Sequence, residues 1–222
     1  IAGRDFVLMA ADATAAFSII LMKDSEDKIL KLDHNKLLAA CGENGDRVQF
    51  TEYIQKNLNL YRLKNDRALS THAAANFLRH ELATALRSRN SYQTNLLLGG
   101  FDDDGENNNG GGENNGDGGE KAQLYFIDYL SSMQKVPYGA HGYGSYFTLS
   151  IMDKYYKRDM TVNEALGMLK KCINEIQTRL LLNTPQFIVK IVDKNGAREI
   201  ALDNAVDLDA PQQQQQTETM ED

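Results

Sequence analysis

Side chains that commonly act as nucleophiles or metal ligands are scarce in this sequence. The 222 residues include two cysteines, Cys41 and Cys172, and four histidines. No Cys/His spacing matches that of a zinc site, so we expect no metal centre and no cofactor. Both cysteines stand in apolar surroundings, which is typical of buried, reduced thiols, and two cysteines are too few for a disulfide framework.

One glycine-containing turn could in principle hold a phosphate group. Gly142-Tyr-Gly-Ser145 has two glycines in the right order, but the third glycine and the lysine of a phosphate-binding loop are both missing. This motif alone is therefore a weak nucleotide signal. His141, directly before it, is interpreted as a structural turn histidine.

The distribution of charge excludes several classes of protein. Of the 31 acidic residues, seven fall within residues 102–120 and six within residues 203–222, which leaves 18 acids against 24 bases elsewhere. The basic residues form no cluster on one face, so we expect no nucleic-acid partner. No apolar run reaches the ~18 residues of a membrane helix, and the first residues show no signal-peptide pattern, so we expect a cytoplasmic or nuclear protein without a membrane partner.

Hydrophobic periodicity predicts alternating sets of strands and helices. Phe50, Ile54 and Leu58 recur at helical spacing, Ser70 is a good N-cap, and Thr161 with Glu164 forms a capping box. We predict helices near residues 50–61, from 70 to about 86, 146–156 and from 161 onwards. Short apolar runs between turn residues predict strands at 6–11, 15–22, 29–32, 36–42, 95–101, 122–130, 187–192 and 198–200.

The order of these elements predicts the fold class. Strands, a helix pair, strands, a second helix pair and final strands are typical of α+β layers rather than of a parallel βαβ sheet. We therefore predict a four-layer αββα sandwich, in which two sheets pack face to face and one helix pair covers each.

Two polar segments are expected to lie outside the folded core. Residues 102–120 contain seven glycines and no apolar residue, and residues 203–222 are acidic with five consecutive glutamines. Neither segment can bury enough apolar surface to offset the entropy of ordering, so we predict that both are disordered. The prediction is a single domain over residues 1–202 with an insertion at 102–120, followed by a tail at 203–222.

The spacing of several residues resembles that in the β-type subunits of the proteasome core particle. The opening stretch from Gly3 ends in Asp12, Lys28 follows sixteen residues later, and Gly42 fourteen after that. Gly142-Tyr-Gly-Ser145 is similar to the Gly-Ser-Gly-Ser turn that precedes the third helix in this family. The resemblance covers residues 3–200 apart from the insertion, and it implies the N-terminal-nucleophile (Ntn) hydrolase fold. Residues 53–57 and 140–144 are similar to the noncatalytic subunit at the fourth position of the eukaryotic β ring.

The resemblance also implies what each matched residue does in active family members. There, an N-terminal threonine attacks the peptide carbonyl with its own α-amino group as base, and an aspartate-held lysine lowers its pKa. Asp12 and Lys28 match that aspartate and lysine, and Gly42 matches the oxyanion-hole glycine. An Asp/Ser pair that braces the α-amino group is replaced here by Leu180 and Asn183. The threonine would lie about four residues before Ile1. Asp12, Lys28, Gly42 and Ser145 are thus vestigial matches, and the resemblance implies a noncatalytic subunit.

Such a subunit would have an architectural role in ubiquitin-dependent protein degradation. The resemblance implies contacts with β subunits of the same and the opposite ring, with α-ring subunits, and with unfolded polypeptide in the chamber. Phe17 and Ile29 are expected either to be ordinary core or to form an apolar wall of a pocket shared with an adjacent catalytic subunit.

Two alternatives remain open at this point. One is an active threonine peptidase subunit whose N-terminal threonine precedes Ile1. The other is a free-standing Ntn-type amidohydrolase, which would be monomeric on gel filtration.

Overall fold

The computed structural model describes residues 1–17, 20–102, 121–180, 186–202, 205, 206 and 208, without the side chains of residues 16, 17, 20 and 21. Within this part of the chain, strands and helix pairs alternate in the predicted order. The strands are β1 (Phe6–Asp12), β2 (Ala15–Phe17), β3 (Ile20–Lys23), β4 (Ile29–Asp33), β5 (Lys36–Gly42), β6 (Thr94–Phe101), β7 (Ala122–Ile127), β8 (Met133–Lys135), β9 (Phe187–Asp193) and β10 (Gly196–Glu199). The helices are α1 (Asn44–Asn65), α2 (Thr71–Leu86), α3 (Ser145–Tyr155) and α4 (Val162–Arg179).

The strands form antiparallel sheets. One sheet has five strands in the order β4-β5-β6-β7-β8, and another has three in the order β1-β9-β10. The single strand predicted at residues 15–22 is wrong, because β2 and β3 are two short strands that pair with each other, with Phe17 opposite Ile20. This hairpin is a two-stranded sheet of its own.

Three apolar clusters define the layers and confirm the predicted αββα sandwich. One lies between α1, α2 and the five-stranded sheet, a second between α3, α4 and the three-stranded sheet, and a third between the two sheets. Strand β1 shows why both sheet faces are buried. Leu8 packs in the α3–α4 cluster, whereas its neighbours Val7 and Met9 pack in the cluster between the sheets.

Local capping explains where three of the helices begin. Thr161 and Glu164 form the predicted capping box at α4, and the Ser70 hydroxyl accepts from the Ala73 N–H at α2. Helix α1 begins six residues before the predicted position, because the carboxylate of Glu43 accepts a 2.9 Å hydrogen bond from the Asp46 N–H. The apolar periodicity marks only the buried face and misses this polar first turn.

The base of the predicted insertion is part of the folded hairpin. The Asp102 N–H donates to the carbonyl of Lys121 at 2.8 Å, directly beyond the paired residues Phe101 and Ala122. The Asp102 carboxylate also accepts from the N–H and the hydroxyl of Thr71, both at 2.9 Å, at the start of α2. The prediction of disorder covers residues 102–120. Asp102 is held in place by these hydrogen bonds, and residues 103–120 lie outside the described residues.

The core extends past residue 202, where the predicted domain ends. Leu202, Ala205 and Leu208 all pack against the α3–α4 cluster. Most of the predicted tail, including residues 209–222, lies outside the described part of the chain.

Candidate functional site

Asp12 and Lys28 come together at one end of the three-stranded sheet. Asp12 is the last residue of β1, and Lys28 directly precedes β4. The Lys28 ammonium donates to both carboxylate oxygens of Asp12 at 2.9 Å, and the Thr14 N–H donates to Oδ2 at 3.3 Å. The lysine backbone is fixed as well, because its carbonyl accepts from the Ala40 N–H. The two side chains are 19% and 35% exposed, so the pair is only partly shielded from water.

Gly42 ends β5 in a conformation that other residues rarely adopt. Its φ is +147°, and a Cβ there would clash with the carbonyl oxygen of Gln93. Cys41, directly before it, is half-buried, and burial raises the pKa of its thiol while Lys28 opposes that shift. The thiol is therefore mostly protonated at neutral pH, which makes it a poor nucleophile.

The turn before α3 approaches the same place. A Cβ on Gly142, which has φ +76°, would lie 3.3 Å from Cys41 Sγ. Ser145 uses its hydroxyl within the turn, donating to the Gly142 carbonyl at 2.6 Å. Tyr143 stands where the similar family turn has its first serine, and its side chain points outward with 74% exposure. The Lys28 ammonium therefore hydrogen-bonds to Asp12 and to neither hydroxyl of this turn, that of Tyr143 or that of Ser145.

Ion pairs hold the connection between β3 and β4, which contains Lys28, against neighbouring elements. Glu26 binds Arg47 of α1 at 2.7 Å and Lys23 at 2.9 Å. Asp27 pairs with Lys190 of β9, next to the pairing of Lys28 with β1. The hydrogen bond from Arg47, with a second from Lys23, lowers the pKa of Glu26 to about 2.

Sequence reasoning missed this network. Its one visible signal is the density of charge in Lys23-Asp-Ser-Glu-Asp-Lys28, which does not reveal the partners.

Leu180 lies at the end of α4, on the connection that returns to Asp12. Its N–H donates to the Ile176 carbonyl at 2.8 Å, which ends the helix. The connection reaches Gln186, whose carbonyl accepts from the Ala13 N–H at 3.0 Å, one residue after Asp12. The half-buried Leu180 brings an aliphatic side chain to this connection and no carboxylate. Asn183 lies outside the described residues.

The expected apolar wall of Phe17 and Ile29 needs correction at Ile29. That side chain has no exposed surface, and it packs in the cluster between the two sheets with Val7 and Leu37. Because none of its surface is exposed, Ile29 is core and cannot line a pocket with a neighbour. The side chain of Phe17 lies outside the described part of the structure.

His141 is held by packing and by a backbone hydrogen bond. Its Nε2 lies 3.0 Å from the Leu96 carbonyl, and its ring stacks on Phe126 with centroids 4.1 Å apart. Burial lowers the pKa of this imidazole. Among the described residues, no three His, Cys, Asp or Glu side chains are grouped so that they could hold a metal ion. The described helices include none with the length and apolarity needed to cross a membrane.

Comparisons with known proteins agree on one family. The model of the family described as "Proteasome subunit" matches residues 1–108 and 115–192. Proteasome subunit beta type-2-A of Arabidopsis thaliana is 52% identical over 90% of this chain and 90% of its own length. Proteasome subunit beta type-4 of Saccharomyces cerevisiae is 42% identical over 89% of this chain and 92% of its own. Proteasome subunit beta type-2 of Trypanosoma brucei brucei is 40% identical over 89% and 93%.

Proposed function

The chain belongs to the proteasome subunit family, as a β-type subunit of the core particle, and from that premise we propose that it is a noncatalytic member with an architectural role. In this role it forms part of the chamber wall and supports neighbouring subunits that cleave the substrate. The particle as a whole is a threonine protease, and this chain contributes structure to it.

Leu180 is the observation that carries the proposal. In the active members that this sequence resembles, an aspartate at the matching position braces the α-amino group that acts as base. A leucine can neither accept a hydrogen bond from that amine nor stabilise its charge. Structural roles explain the presence of the Asp12–Lys28 pair and of Gly42 in a chain without the brace. The pair joins β1 to β4, and the glycine permits the turn into α1.

Exposed apolar side chains on both outer layers support an architectural role. On α1, Leu60 and Leu63 are 47% and 76% exposed, and at α3, Tyr143 and Tyr146 are 74% and 82% exposed. Leu60 and Leu63 are three residues apart and are therefore neighbours on the surface of α1. Tyr143 lies in the turn before α3, and Tyr146 lies in the first turn of that helix. Because the two helix layers cover opposite sides of the sandwich, these patches suit two different partners. The proposed partners are β subunits of the same and the opposite ring, α-ring subunits, and unfolded polypeptide in the chamber.

The proposed setting is ubiquitin-dependent protein degradation in the cytoplasm and nucleus. Both cysteines are free in the structure, which suits a reducing compartment.

One specific observation favours a second candidate, an active threonine peptidase subunit. Asp12, Lys28 and Gly42 keep the geometry that such a site would use, with the ammonium held 2.9 Å from both carboxylate oxygens. This candidate requires a threonine before Ile1 and a brace other than residue 180.

Substitution of Lys28 separates the two candidates. Particles would be purified through a tag on this chain carrying Lys28→Met, with the exposed Lys56→Met as the matched control. If the chain is noncatalytic, all peptidase activities per assembled particle stay within about twofold of wild type. Loss of one activity by about a hundredfold or more, the usual effect of removing a group that activates a nucleophile, would overturn the proposal.

A further inference from the structure

Helix α4 carries a buried glycine in its interior. Gly167 lies in the second turn of α4, where glycine is less favourable than alanine by about 1 kcal/mol. A Cβ at this position would clash with the carbonyl oxygen of Val206 and lie 3.3 Å from Cγ of Leu208. The glycine therefore leaves a notch that the chain's own C-terminal segment fills.

The described residues between 200 and 208 contact one side of α4. Ile200 and Ala201 line a cavity of about 340 Å³ together with Val162 and Asn163 at the start of the helix. Further along, the Val206 N–H donates to the Asn163 carbonyl at 3.3 Å, and its carbonyl reaches Gly167. These contacts run from the beginning of α4 towards its end, and we call the described residues Leu202, Ala205, Val206 and Leu208 the strap.

Two lysines continue the line that the strap follows. Asn163, Gly167 and Lys171 are each four residues apart, and Lys170 is three residues after Gly167, so all four share one side of the helix. Lys171 lies 5.4 Å from the centre of the Tyr155 ring, and Lys154 of α3 lies 4.7 Å from the same ring. Two ammonium groups around one ring create a positive potential directly beyond the strap.

The chain beyond the strap has the complementary charge and sufficient reach. Residues 209–222 contain four acidic residues and no basic one. Lys170 is about 5 Å further along the helix than Gly167, and one or two extended residues cover that distance. Asp209 directly follows Leu208, which contacts the notch.

We propose that α4 is a docking track for the C-terminal segment, on which the Gly167 notch holds the strap and Lys170 and Lys171 bind Asp209. The occupant is this chain's own residues 202–209. The proposal does not depend on whether the subunit is catalytic.

Hydrogen exchange of assembled particles tests the notch. In Gly167→Ala, the new methyl group collides with the Val206 carbonyl, so exchange of the strap amides should rise by about tenfold or more. Without a docked strap, the same change would only raise helix propensity and leave strap exchange unaltered. Gly45→Ala is the matched control, because Gly45 is also in a helix but faces only the flexible side chain of Glu43. Strap exchange that is the same in Gly167→Ala as in wild type would overturn the proposal.

Zero-length carbodiimide cross-linking of wild-type particles tests the lysine end of the track. We expect peptides that join Asp209 to Lys170 or Lys171. Asp209→Asn should also raise strap exchange by about two- to fivefold, the range of a surface ion pair, whereas Asp222→Asn should not. Cross-links from Asp209 only to other lysines or to another subunit, or none at all, would show that the segment binds elsewhere.

Discussion

The ammonium of Lys28 lies 2.9 Å from each of the two carboxylate oxygens of Asp12. This pair ties the end of β1 to the residue before β4, two strands that belong to different sheets. Because each partner satisfies the other, the contact has a structural function that needs no substrate. Because the pair is partly exposed to water, its contribution to the free energy of unfolding should be small.

The Asp12–Lys28 pair should contribute about 1 kcal/mol to the free energy of unfolding. We expect Lys28→Met and Asp12→Asn each to lower stability, and the double variant to lower it by less than their sum. Chemical denaturation of the four proteins in a double-mutant cycle gives the coupling. Strict additivity would contradict a stabilising pair.

Glu26 should make stability depend on pH in the acidic range. Its pKa is about 2 in the folded chain, below the ordinary glutamate value of 4.5, because it accepts hydrogen bonds from Arg47 and Lys23. A depressed carboxyl pKa stabilises the fold above pH 4.5, and this contribution is lost as the pH falls from about 4.5 towards 2. Glu26→Gln should therefore reduce the stability difference between pH 6 and pH 3 by about 1 kcal/mol, measured by denaturation at each pH. An unchanged difference would show that the contacts do not hold the carboxylate.

Gly42 should be intolerant of a side chain for structural reasons. Gly42→Ala forces an alanine to φ +147° and places its methyl group against the Gln93 carbonyl. We expect a loss of about 2 kcal/mol or more in unfolding free energy and reduced incorporation into particles. Gly45→Ala is the control and should cost less, because its methyl group would meet only the flexible side chain of Glu43. Normal stability of Gly42→Ala would contradict the structural explanation for this glycine.

The base of the insertion should matter more than the insertion itself. Asp102→Ala removes the acceptor of the Thr71 N–H and hydroxyl hydrogen bonds and should cost about 1 to 3 kcal/mol. Replacing residues 103–120 with Gly-Gly should leave assembly intact, since Asp102 and Lys121 already pair and a two-residue loop can join them.

Assembly of the two variants can be compared by native gel and mass spectrometry of purified particles. If the Gly-Gly variant fails to assemble while Asp102→Ala is normal, the insertion has a partner of its own and the prediction is wrong.

The sequence predicts the layers well because they depend on local periodicity. The capping box of Thr161 and Glu164 predicts the start of α4 from four residues. Apolar runs typical of strands alternate along the chain with apolar residues at helical spacing, and this order predicts the layers. The Glu26–Arg47 pair could not be predicted in this way, because 21 residues separate its partners and only the folded chain brings them together.

Burial was the harder part of the site to predict. Ile29 belongs to an apolar strand whichever way it faces, and only the packing of one sheet on the other makes it core. The sequence did not predict the strap, because residues 203–222 are mostly polar and the three apolar residues Ala205, Val206 and Leu208 form no strand or helix pattern. Gly167 in the interior of a capped helix was the available signal, since a helical glycine often marks a close approach of backbone.

Covalent labelling tests the noncatalytic assignment most directly. Assembled particles would be treated with an epoxyketone that reacts with N-terminal threonines, and the intact mass of every subunit would be measured. We predict that this chain keeps its unmodified mass while catalytic subunits of the same particle gain the adduct. An adduct on the N-terminal residue of this chain would contradict the account, because only an active nucleophile forms it.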